Sequence, residues 1–490
     1  MFSQALLVTI SGVVFALLAA FALTSRSAQY PPGPPSWPLF GVALNHPKTE
    51  FWKTYAEWGR KYAADAFNLL SKRSANYSDR PYRTMASRLM RREKSIFVAS
   101  YNDLLKTYRR LMHQSFNPTA SQMYWELEEE EARVLVDNVL SSPQNLVQHL
   151  RRNAAAVIMK IAYGYPVTCN DDHFVKIAEE GIKIISMAGA PGKWLVDSFP
   201  VLRFLPEWFP GAGFKRQAKE WSQTLYSQSL EPHMWVKEQI RAGTAIPSFT
   251  STLLQPADGH TVDADEEDKI IWTSGALYLA GADTSVSVME TFFFTMMMHP
   301  LVQHKAQDEV DRFLSAEKRL PTLRDQAMFP YVGCVLKEIL RWAPPAPFGL
   351  FHCTTKADVY KGFLIPAKTS VMANIWAIMH DETTYPNPFM FDPTRFLGDN
   401  PEPDPRDYAF GFGRRICPGQ HLAEHSIWIQ MVLSLLTMNI SKAVDADGRV
   451  VEPEVAFTSG AVSHVKPFKC QIDPRPGISL SLVRVALQNS

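Results

Sequence analysis

The stretch "FGFGRRICPGQHLAEH", residues 410–425, holds a single cysteine flanked by glycines, with two arginines just before it and a helically spaced apolar run after it. Pro418 and Gly419 place the Cys417 sulfur at a helix N-terminus, where free backbone N–H groups and the dipole favour a thiolate. Arg415 adds a positive charge able to meet an anionic group on a ligand. Gly411, Gly413 and Gly419 permit a tight loop and the close approach of a flat object to the backbone. One thiolate with no second cysteine nearby suits a metal that takes one axial protein ligand, as a haem iron does. Two other readings stay open on these residues alone. Cys417 could be a buried structural cysteine in a glycine turn, or Cys417, His421 and His425 could share one helix face as a zinc-like site.

A second group with chemical potential is "AGADTS", Ala280 to Ser285. Asp283 is the only charge between residues 270 and 289. A buried acid beside a threonine in mid-helix is locally unfavourable, because the acid has no obvious partner and threonine is a poor helix former. Such a departure points to function; the plainer reading is a kink whose polar groups bond locally.

The elements that must position these groups are mainly helical. Up to about residue 345, Leu, Ile, Val and Met recur at spacings of three and four. The longest helical candidate begins at the acidic run Asp263 to Asp268, which suits the positive end of a helix dipole, and stops at Pro300. Its Phe292–Phe294 and Met296–Met298 clusters read as core, and the four glutamates Glu128–Glu131 as a solvated helix face. After residue 345, short apolar runs broken by Pro and Gly read as strands and turns. A last helix starts near Pro418, and "GISLSLVRVAL" near the C-terminus alternates like an edge strand. The fold class is mainly α with small β-sheets (α+β), in one large domain.

Lys plus Arg number 50 against 49 Asp plus Glu, which gives no electrostatic case for nucleic acid. Five scattered cysteines without CxxC spacing argue for a reduced compartment and against a disulfide framework. Residues 5–23 carry no charge, and their 19 positions approach the ~20 a helix needs to cross hydrocarbon. Arg26, the first charge, would hold the following chain on the cytoplasmic side. The expected layout is an N-terminal transmembrane anchor over 1–25, a Pro-rich hinge over 26–41 ("YPPGPPSWPLFG" at its core), and a catalytic domain over 42–490.

With these residues in view, "FGFGRRICPG" resembles the haem-ligand signature F-x-x-G-x-R-x-C-x-G of the cytochrome P450 family, through Phe410, Gly413, Arg415, Cys417 and Gly419. The resemblance covers nearly the whole chain. It implies the cytochrome P450 fold, haem b (iron protoporphyrin IX) as cofactor, and Cys417 as the axial iron ligand. It matches "KEILR" to the family's E-x-x-R pair, Glu338 and Arg341, completed into a structural network by Arg395 of "FDPTRFL". It matches "AGADTS" to the oxygen-activation segment, with Gly281 admitting substrate and dioxygen and with Asp283 and Thr284 relaying protons. Arg415, Arg109 and His352 are matched to partners of the haem propionates, although Leu105 stands where the family has tryptophan before Arg109. Ala276–Ala280, Phe348–Leu350 and Ser459–Val462 fall where pocket walls are expected, and "FPVLRFLPEWFPGAG" resembles the segment that dips into the bilayer.

The implied function is a monooxygenase acting on a hydrophobic organic substrate, of the type that fungi use in secondary metabolism or xenobiotic oxidation. Electrons would come from NADPH through a separate NADPH-cytochrome P450 reductase, with cytochrome b5 as a second donor, because the sequence has no GxGxxG fingerprint of its own. The site would be the endoplasmic reticulum membrane, with the haem domain facing the cytoplasm. One departure stands out. The family runs from a residue like Tyr62 through a β-hairpin, and here "AADAFNLLSKRS" follows at once. Two missing strands would leave a sheet edge unpaired, so a poorly stable or inactive chain, a non-catalytic membrane haem or scaffold protein, is the second reading.

Overall fold

The computed structural model describes residues 30–34, 47, 49–62, 68–169, 172–189 and 192–476. The expected anchor, most of the hinge and the C-terminal "GISLSLVRVAL" lie outside the described residues. Among the described residues no helix is long and apolar enough to cross a membrane.

The long helices, in chain order, are α1 (Phe51–Tyr62), α2 (Asp103–Phe116), α3 (Trp125–Ser141), α4 (Leu146–Tyr163), α5 (His173–Gly189), α6 (Gly213–Ala242), α7 (Ala264–Met298), α8 (Pro300–Glu317), α9 (Pro330–Trp342) and α10 (Gln420–Thr437). The central one, α7, starts where its acids said it would. Asp263 accepts from the backbone N–H groups of Asp265 and Glu266, while Glu266 reaches back to the Asp263 N–H. This capping box satisfies donors that the helix itself cannot. The helix ends at His299, and Pro300 opens α8 at the position where a missing N–H costs nothing.

Two glycines let neighbours close on α7. A Cβ on Gly275 would stand 2.1 Å from Ser229 Oγ of α6, and one on Gly281 would stand 3.0 Å from Ile158 Cγ1 of α4. Phe292, Phe293, Phe294, Met296 and Met297 are buried with Trp428 of α10 and Val335 of α9 in one core.

The glutamate run does not form a solvated face. Glu128 and Glu131 are buried, and among the described residues neither Glu128 carboxylate oxygen has a hydrogen-bond partner. Burial pushes the Glu128 carboxyl well above its usual range. Glu131 is paired with Arg152 at 2.6 Å. At about 100° per residue, four consecutive positions sweep most of the way round a helix, so they cannot all face water on a helix packed between α4 and α10.

The strands are short. β1 (His352–Cys353) pairs antiparallel with β4 (Ser370–Val371), β2 (Asp358–Tyr360) with β3 (Phe363–Ile365), and β5 (Met438–Lys442) with β6 (Cys470–Pro474). Among the described residues no strand precedes His352. The edge expected to be bare is instead met by residues 73–79. The Cys353 N–H donates to the Asp79 carbonyl and the Thr355 N–H to the Asn76 carbonyl. Arg73 donates to both Asp358 oxygens and to the Val359 carbonyl, with its guanidinium over the Tyr360 ring. These contacts satisfy part of an edge that would otherwise offer unpaired backbone groups.

Candidate active site

The Cys417 loop is built from backbone contacts. The Cys417 N–H donates to the Phe410 carbonyl at 2.7 Å, and Gly411 (φ 82°) and Gly413 (φ 53°) take left-handed conformations. A Cβ on Gly413 would lie 2.6 Å from the Leu70 carbonyl oxygen, so this glycine lets the loop seat on residues 70–74. The following helix starts at Gln420, with Gly419 as its N-cap. Burial pushes the Cys417 thiol up, against the Gly419 N–H and the Arg109 guanidinium, which pull it down. Among the chain's own groups, desolvation outweighs those two effects. The zinc-like alternative also fails, because His425 Nδ1 already accepts from Trp125 Nε1 at 3.1 Å.

Around this loop stands a cluster of cations that do not neutralise one another. Arg415 donates to the carbonyls of Ser78, Ile96 and Ala99 at 2.8, 3.3 and 2.7 Å, which locks the loop to residues 78–99. Arg109 donates to the Ile416 carbonyl at 2.8 Å. Arg80, which no motif singled out, donates from one nitrogen to the Leu350 and Phe351 carbonyls, and among the described residues its buried Nε has no partner. Burial first, and then the Arg415 and Arg109 charges, together lower Arg80 to about 9. His352 Nδ1 meets the Tyr77 carbonyl at 2.7 Å, and burial together with Arg80 lowers its imidazole to about 4. His352 is thus neutral beside the Arg80 and Arg415 guanidinium groups and would take a second proton only with a carboxylate at hand. An excess of buried cations with an orphaned donor, next to one cysteine, fits a group carrying two carboxylates, as haem does.

The acid of "AGADTS" has a partner that its neighbours in sequence did not reveal. Asp283 Oδ1 lies 3.2 Å from His464 Nε2, and His464 Nδ1 lies 2.8 Å from Glu290 Oε2. Burial pushes His464 down, but the hydrogen bonds to the two carboxylates overcome it and raise it to about 9. Thr284 Oγ1 donates to the Ala280 carbonyl at 2.9 Å, and α7 continues through it without a break. A Cβ on Gly281 would meet Ile158 of α4, so its smallness serves helix packing.

The cytochrome P450 family pattern matches residues 31–459 of this chain. The chain belongs to the cytochrome P450 family. It is 39% identical to cytochrome P450 monooxygenase 208 of Postia placenta, over 96% of each chain. To cytochrome P450 monooxygenase claR of Ampulloclitocybe clavipes it is 38% identical, over 98% of this chain and 93% of the relative. To cytochrome P450 monooxygenase COX2 of Coprinopsis cinerea it is 36% identical, over 95% and 94%. The alignment to cytochrome P450 monooxygenase 98 of Postia placenta runs over 516 positions while taking in 100% of this chain, so this P450 carries gaps against that relative.

The chain is a cytochrome P450 monooxygenase, and its remaining expected site residues fall as follows. Glu338 and Arg341 of α9 are fully buried, with Arg341 Nε 2.7 Å from Glu338 Oε2, and Arg395 Nε lies 3.2 Å from Glu338 Oε1. Glu338 also accepts from the Asp392 N–H, and Arg341 donates to the carbonyls of Met379, Pro388 and Met390. A cavity of about 530 Å³ opens beside Arg80. Phe348–Leu350 and Ser459–Ala461 line it as expected, whereas Ala276–Ala280, Asp283 and Thr284 are not among its walls. The turn carrying Ser459 and His464 is tied to α7 by the Ser287 hydroxyl, which donates to the Ser463 carbonyl at 2.6 Å.

Proposed function

We propose that this P450 is a membrane-anchored, haem-thiolate monooxygenase that inserts one atom of O2 into a C–H bond of a largely apolar organic molecule, in the secondary metabolism or xenobiotic oxidation of a fungus. Electrons come from NADPH through a separate reductase. The observation that carries the reading is the juxtaposition of Cys417 with Arg80, Arg109, Arg415 and His352 beside a mostly apolar cavity. Haem bound through Cys417 supplies the oxygen chemistry, a thiolate ligand favouring O–O cleavage.

The chain's own residues do the rest. Arg80, Arg109 and Arg415 would hold the propionates, with His352 beside them; Arg415 also fixes the loop that presents the sulfur. Glu338, Arg341 and Arg395 brace the segment leading into that loop. Asp283, held by His464, and the Thr284 hydroxyl carry protons toward the reacting centre along the inner face of α7. Phe348, Leu350 and Ala461 exclude water from the substrate.

Placement on the endoplasmic reticulum, with the domain in the cytoplasm, is supported by the apolar run over residues 5–23 and by one surface patch. Leu195, Phe199, Val201, Phe204, Trp208 and Phe209 are all exposed on the connection between α5 and α6. Such a patch suits contact with lipid and the delivery of an apolar substrate.

The reading is tested by expressing the full chain in microsomes with a P450 reductase and recording the reduced carbon monoxide difference spectrum. The thiolate-ligated Soret band is expected, and C417A is expected to abolish it. A wild-type band at the position of a histidine-ligated haem would refute the proposal.

A further inference from the structure

The cavity beside the cofactor cluster carries charge that the cofactor does not account for. Among its described walls are Arg80, Arg83, Arg92 and Lys193, and no Asp or Glu. Arg92 is the most telling. It is 8% exposed, and among the described residues its side chain makes one hydrogen bond, from Nη2 to the Ser95 hydroxyl at 3.1 Å, and no ion pair. Burial lowers it only to about 10, so it stays charged at neutral pH. Arg83 donates to the Gly189 carbonyl at 2.7 Å and lies over the Phe351 ring; Asp197 offsets its charge only from beyond ion-pair distance. Lys193 is exposed and lies over the Trp194 ring. The other walls include Ala86, Met90, Phe97, Ile185 and Phe348.

The Arg92 donors left without a protein partner keep their exposure into the cavity, and a largely desolvated guanidinium with no counter-ion there favours a ligand that supplies the anion. The planar fork of Arg92 matches a carboxylate in two-point contact. The apolar walls match the remainder of a molecule that carries one such group.

We propose that the substrate of this P450 is an organic acid: an apolar skeleton bearing a single carboxylate, which docks on Arg92 while Arg83 and Lys193 draw it in from the rim. The inference rests on the monooxygenase reading above and narrows its substrate class. It also assigns Arg92 to the substrate and not to a haem propionate.

The test uses the full-length holoenzyme and two matched pairs of probes, dodecanoate with methyl dodecanoate and 1-naphthoate with methyl 1-naphthoate, titrated by haem spin shift. In the wild type the acid of at least one pair is expected to bind about tenfold tighter than its ester. R92Q is expected to remove that difference with haem content and the carbon monoxide spectrum unchanged, and R92K to keep part of it. Acids that bind no better than their esters, including no binding by either, overturn the proposal. So does a loss of haem in R92Q, which would give Arg92 to the cofactor. Absence of the thiolate spectrum in the wild type would instead strike the monooxygenase reading, and the two failures are therefore distinct.

Discussion

His464 ties together two acids of one helix: its Nε2 lies 3.2 Å from Asp283 Oδ1 and its Nδ1 2.8 Å from Glu290 Oε2. The two acids stand seven residues apart, two turns on the same face of α7. Both ring nitrogens carry protons at neutral pH, so the imidazolium neutralises Asp283 and anchors the turn that forms one wall of the cavity. Without it, two carboxylates would face one another in a poorly solvated space.

This pairing predicts a stability signature. The folded value of His464 lies above the unfolded value of about 6.5, so its contribution is fully present below that pH and is lost as pH rises through about 9. H464Q is expected to cost about 2–3 kcal/mol at pH 6. In thermal melts of the holoenzyme, the gap between wild type and H464Q should close on going to alkaline pH. Parallel melting curves across that range would show that the imidazolium does not stabilise the fold.

Proton delivery is tested separately from folding. T284A removes a hydroxyl whose one bond among the described residues is to the carbonyl of its own helix, so the fold and the carbon monoxide spectrum should survive. D283N removes the acid but keeps the shape. Each is expected to lower product formed per NADPH consumed, with D283N also cutting turnover by about 100-fold. Peroxide release measured alongside NADPH use is the check, and wild-type coupling in both variants would remove these residues from the relay.

Breaking the buried network on α9 should be felt as lost cofactor. E338A leaves Arg341 and Arg395 facing each other with Arg341 fully buried, which costs about 3–5 kcal/mol. The expected result is protein with little haem, read from the ratio of Soret to protein absorbance and from earlier urea unfolding. Full haem loading in E338A would mean that the network does not support the Cys417 loop.

Arg80 gives a sharper test of the cofactor cradle. Because its Nε is buried without a partner among the described residues, R80Q is expected to speed haem transfer to apomyoglobin by about tenfold or more. Unchanged release would place the propionates elsewhere.

The contacts by which residues 73–79 meet the sheet edge can be probed directly. R73A removes the contacts to Asp358 and the Val359 carbonyl, and hydrogen exchange across residues 358–365 should quicken while that around β5 and β6 stays the same. Equal protection would show that the edge is held without Arg73.

What was legible in the sequence is what neighbours along the chain encode. The bounds of α7 follow from an acidic cap and a proline, the spacing of Glu338 and Arg341 from one helical turn, and the loop of Cys417 from its glycines and family signature. What only the tertiary structure decided are contacts between distant segments. The Asp283–His464 pair, the place of Arg80 among the cations, the burial of Glu128, and the neighbours that Gly281 and Gly413 accommodate all depend on elements far apart in sequence. Periodicity says that a residue lies on a helix, but the packing of the other helices decides which face is buried and which charge meets which. Backbone preference acts over a few residues, whereas desolvation and charge pairing exist only once the chain has closed on itself.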